Sequence, residues 1–129
     1  KKSNFNEIIN LISLYVKQGL KIKLRLKDSD PDIEEYINKI EIEERAFEKS
    51  FQDYKLIIGT EVGTIIGKCL FNKVNFISYD EKASLYDENI DKKINMQSEN
   101  IYQNFGSFKE ALTIHLNQIL LKENNEQSN

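Results

Sequence analysis

Residues 54–80 read YKLIIGTEVGTIIGKCLFNKVNFISYD, and the order of physical types along them decides the fold. LIIG (56–59) is apolar throughout. Short runs of that kind come from strands covered on both faces, the usual state of a strand in a parallel sheet. Residues 61–71 read as a helix despite Gly63 and Gly67, and VNFIS (74–78) reads as the next strand. Strand, helix and strand in that order imply a crossover between parallel strands. Ligands on such sheets bind beyond the carboxyl ends of the strands. That edge carries the turn Gly59-Thr60-Glu61-Val62-Gly63 and, beside it, Ser78-Tyr79-Asp80.

Upstream, the first segment is helical. Phe5, Ile8, Ile9, Ile12, Tyr15 and Val16 recur at spacings of three and four and form one stripe. Asn4 and Glu7 fit a helix start, and Gly19 fits the stop, because glycine enters the left-handed conformation there without strain. KIKLRL (21–26) alternates Ile22, Leu24 and Leu26 with charged residues, the period of a strand with one apolar face. Asp30 before Pro31 is a helix start, with Ile33, Tyr36, Ile37 and Ile40 as the buried stripe. A second helical piece is expected over 43–51.

Downstream, residues 79–106 are polar and read as loop, with a short helix around 87–93. Ser107 and Glu110 form a capping box for the last helix, whose stripe is Phe108, Ala111, Leu112, His115, Leu116 and Ile119. The order is α-β-α-β-α-β-loop-α. The expected fold is a Rossmann-like three-layer α/β domain with a small parallel sheet, one domain over 1–122, followed by a frayed polar tail over 123–129. The chain begins on Lys1 rather than Met, and we expect it to be the C-terminal fragment of something longer.

The composition narrows the function classes. A chain of 129 residues with 40% hydrophobic and 30% charged content has the make-up of a globular domain. No apolar run approaches the ~20 residues of a membrane helix. The net charge is −3, and an acidic chain without clustered arginine argues against nucleic acid as the partner. The charge is uneven. Residues 1–27 carry seven Lys or Arg against Glu7 alone, whereas 28–53 hold ten acidic residues against Lys39, Arg45 and Lys49. One cysteine, Cys69, allows no internal disulfide, and its apolar neighbours mark a buried small hydrophobe. The single histidine, His115, lies on a helix stripe and reads as a packed or boundary residue. One His and one Cys in separate elements give no basis for a transition-metal site or a Cys–His pair. Asp28, Asp30 and Asp32 cannot make an EF-hand loop around Pro31 without the downstream Gly and Glu; capping and solvation explain them.

The turn at 59–63 has physical grounds for ligand binding. Gly59 lets a ligand approach the backbone, and the helix that follows offers free N–H groups and a positive dipole end. Thr60 can donate to a phosphate. Glu61 can accept from sugar hydroxyls, and it is equally an acid suited to a helix start with no ligand. The turn is neither a P-loop, lacking Gly-Lys-Ser/Thr, nor a dinucleotide fingerprint, lacking the third glycine.

Residues 53–80 resemble the C-terminal half of bacterial GT-B glycosyltransferases that build capsule and other surface glycans, including sialyltransferase-like ones. The family pattern is an Asp-led apolar strand ending Ile-Gly, a Ser/Thr turn, an apolar helix, and a strand ending Tyr-Asp. LYVKQGLKIKLRLKDSD (14–30) resembles the preceding segment, and IYQNFGSFKEALTIHL (101–116) the closing helix. The resemblance implies that this half holds a nucleotide-sugar donor, with a partner domain upstream binding the glycan acceptor. It places Gly59, Thr60, Glu61, Val62, Gly63 and Thr64 at the donor nucleotide, Arg25, Lys27 and Asp28 in the neighbouring loop, and Ser78 and Tyr79 beside them. It implies no required metal or cofactor, a cytoplasmic location with attachment to the inner membrane through the rest of the protein, and a catalytic base outside this chain. The sequence departs from the pattern at three places. Val62-Gly63 replaces the Ser pair, Lys27-Asp28 or Leu26-Lys27 replaces His-Pro, and Gly67 falls where a helix acid often holds ribose. The rival expectation is a non-catalytic acidic interaction domain, such as an immunity-type protein that neutralises a basic toxin through its 28–53 block.

Overall fold

The computed structural model describes residues 2–25, 40–59, 64–80 and 100–127. The expected helix beginning at Pro31, its stripe up to Ile37, and the short helix around 87–93 lie outside the described residues. The protein is a mixed α/β chain with small parallel sheets. Its contacts group it into two compact units, Lys1–Arg45 with His115–Asn129, and Ala46–Ile114. The sequence alone predicts one domain over 1–122.

In the first unit, α1 (Lys2–Lys17) buries Ile8, Ile9, Ile12 and Tyr15. The helix starts upstream of Asn4, so Asn4 is an interior residue rather than the cap. Its end is as read. Gly19 sits at φ +104°, and the Leu20 N–H donates to the Tyr15 carbonyl at 3.0 Å, the wrap that closes a helix through a left-handed residue. Leu20 is then buried. The Tyr15 hydroxyl donates to Asn117 Oδ1 at 2.6 Å.

Strand β1 (Lys23–Leu24) pairs in parallel with β2 (Glu41–Ile42), Lys23 opposite Glu41. This corrects two expectations. Ile40 belongs to the approach to a strand, not to a helix stripe, and KIKLRL does not join LIIG in one sheet. The physical reason is visible in IEIEE (40–44). Ile40 and Ile42 alternate with Glu41 and Glu43, a period of two that the expected helix stripe overrode.

The second unit opens with α2 (Phe47–Ser50), which runs into a 3₁₀ turn over Phe51–Asp53. The helical piece expected over 43–51 therefore begins later and tightens at its end. Next come β3 (Ile57–Gly59), α3 (Thr64–Phe71), β4 (Phe76–Tyr79) and β5 (Ile101–Tyr102). The sheet order is β3-β4-β5, parallel throughout. The β-α-β reading of 54–80 holds. Strand β5 is new; it lies in the stretch read as loop.

Register assigns the two faces of this sheet. Ile57, Phe76 and Ile101 share one face and pack with Phe47 and Cys69. Side chains alternate along strands, so Ile77 and Tyr79 point to the opposite face. Tyr79 and Tyr102 there meet Phe105 and Phe108 from the start of the last helix, α4 (Phe105–Gln127). Helix α4 runs to Gln127, through residues set apart in the sequence as a tail. Within this unit, helices cover both faces of the sheet.

The cap of α4 also differs from expectation. Asn104 Oδ1 accepts from the Ser107 N–H at 2.9 Å, so Asn104 is the N-cap and Ser107 lies inside the first turn. Replacing Asn104 by Ala should lower stability by about 1 kcal/mol, while Asn104→Ser should be near neutral. Chemical denaturation of the two variants measures the difference, and equal stabilities would remove Asn104 as the cap.

Cys69 is fully buried, as read. Burial pushes its thiol from 9.0 up to about 11. Thiolate is the reacting species, so iodoacetamide at pH 8 should label the native chain far more slowly than the urea-unfolded chain. The folded value is the higher one. This contribution to stability is therefore intact below pH 9.0 and is lost as pH rises towards about 11. Rapid native labelling at pH 8 would show that the thiol is open to solvent.

Candidate functional site

The carboxyl edge of the β3-β4-β5 sheet gathers the site. Gly59 ends β3 and lies opposite Ser78, which in turn lies opposite Ile101. Helix α3 packs on both β3 and β4. It begins at Thr64, after the turn, and its polypeptide returns to β4 through Asn72 and Lys73. Lys73 adopts φ +55°, and the Val74 N–H donates to the Cys69 carbonyl at 2.9 Å. That left-handed closure turns the chain into β4 and sets the register of Phe76 against Ile57.

Ser78 is the unusual residue. It is fully buried, and its Oγ has no hydrogen-bond partner. A buried hydroxyl without a partner costs about 1–3 kcal/mol, so it is rare in a finished core. Two residues on, Asp80 is also buried, at 7% exposure, and its N–H donates to the Tyr102 carbonyl at 2.9 Å. Its carboxyl group is an acceptor suited to hydroxyls. Tyr79, half-buried, faces the aromatic cluster, with its ring 5.3 Å from Phe105 and 5.7 Å from Phe108. Those contacts give Tyr79 a packing role.

Of the residues read as donor-binding, Gly59, Ser78 and Tyr79 fall together at this edge, and Thr64 starts the adjoining helix. Thr60, Glu61, Val62, Gly63, Lys27 and Asp28 lie outside the described residues. Arg25 is exposed just past β1, in the other unit. Tyr102 was missed as a member of the edge, whereas Asp80 was placed there but not among the donor-binding residues. Asp80 stood in the quoted stretch but gave no sign of being buried. Tyr102 was hidden because a two-residue strand has no readable period.

The first unit holds a second set of charged groups at the end of its own sheet. Glu43, whose side chain is 7% exposed, accepts from Arg45 Nη2 at 2.7 Å, Arg45 Nε at 3.1 Å and the Arg45 backbone N–H at 3.0 Å. The Glu43 N–H donates to the Leu24 carbonyl, tying this turn to β1.

Among the described residues, no group of His, Cys, Asp and Glu is arranged to hold a metal ion. No described helix is long and apolar enough to cross a membrane. No family model, curated protein or solved structure matches the chain.

Proposed function

We propose that this chain is the donor-side part of a GT-B-like glycosyltransferase of bacterial surface polysaccharide synthesis. In this reading the Ala46–Ile114 unit is built on a Rossmann-like plan and holds a nucleotide sugar at the carboxyl edge of its sheet. A partner domain supplies the acceptor site and the catalytic base. The supporting observation is the pairing of Gly59 with Ser78 at that edge, on the two strands that α3 joins. A glycine beside a polar residue at the entry to a helix suits close approach of a ligand backbone to backbone. The sequence resemblance supplies the choice of nucleotide sugar over other ligands of this edge.

An ¹⁵N NMR titration with UDP, CMP and their sugars tests the reading. The amides of Gly59, Ser78 and the first turn of α3 should shift, together with those of Thr60 and Glu61. Gly59→Val should abolish the shifts while the circular dichroism spectrum stays that of the folded chain. Silence of these amides at millimolar nucleotide would end the proposal for this chain.

A second reading, an acidic interaction domain, is favoured by the exposure of Glu41 and Glu44 beside β2. It predicts salt-sensitive capture of a basic protein and no response to nucleotides.

A further inference from the structure

We draw no further inference here: the strongest candidate, the exposed surface of α3 where Phe71 stands 86% exposed one turn beyond Gly67 with open space around that glycine, carries nothing because nothing in the structure shows what covers it.

Discussion

Phe108→Ala is expected to destabilise the Ala46–Ile114 unit by about 3–5 kcal/mol. Phe108 is fully buried and touches Tyr79, Tyr102 and Phe105, with ring centroids 5.7, 6.4 and 6.4 Å away. With Phe105, it packs the start of α4 on one face of the β3-β4-β5 sheet. Truncation removes most of its buried area and leaves a cavity between rings that are fixed to strands and to a helix turn, so collapse is limited. The edge-to-face contact with Tyr102 accounts for about 0.5–1.5 kcal/mol of the loss. Against a domain stability of roughly 5–15 kcal/mol, the variant should be marginal at 37 °C. Urea denaturation followed by tyrosine fluorescence gives the value. Phe108→Leu, which keeps much of the volume, should recover more than half of it. A loss below 1 kcal/mol for the alanine variant would mean that α4 does not anchor on this face. Loosening that face also moves Tyr79, the strand neighbour of Ser78, so the nucleotide response proposed for the edge should fall together with stability.

Arg45→Ala is expected to cost about 2–3 kcal/mol, well above the ~0–1 kcal/mol typical of a surface ion pair. The asymmetry of burial is the reason. The Glu43 side chain is 7% exposed and that of Arg45 is 44%. Without the guanidinium, Glu43 keeps its bond from the Arg45 backbone N–H and loses two charge-assisted ones from the side chain. A buried carboxylate then faces an incomplete shell, the costly way to break such a pair. The half-open Arg45 lets water replace part of the loss, which holds the figure below the 3–5 kcal/mol of a fully buried pair. Arg45→Lys should recover little, because an ammonium cannot form the fork to both carboxylate oxygens. The double variant Glu43→Met, Arg45→Ala should be more stable than Arg45→Ala alone. Stability of the single variant within 0.5 kcal/mol of the wild type would show that Glu43 is satisfied without the arginine side chain.

Much of the local structure is legible in the residues. The stripe of α1, the stop at Gly19, the β-α-β unit of 54–80 and the burial of Cys69 follow from period, backbone freedom and polarity, all properties of a few neighbouring residues. The misreadings share one cause. IEIEE (40–44) supports either period over so few positions, and IY (101–102) is too short to show one. Such strands exist because a partner strand accepts their hydrogen bonds, and the partner is distant in sequence. The cap at Asn104 was displaced for a related reason. Asn104 and Ser107 are both good caps, and the packing of Phe105 and Phe108 on Tyr79 selects the helix start that uses Asn104.

The sequence by itself determined that the chain is α/β, that LIIG and VNFIS run parallel around a helix, and that Gly59 and Ser78-Tyr79-Asp80 fall at the carboxyl edge of the sheet. Each of these depends on side-chain period and on the geometry common to all β-α-β crossovers. Only the tertiary structure decided that KIKLRL pairs with Glu41–Ile42 in a separate sheet, that Glu43 is buried on Arg45, and that the Ser78 hydroxyl lies unpartnered beside Gly59. Those depend on which distant backbone supplies a hydrogen bond and which face another element covers. Neither is a property of the residues on their own.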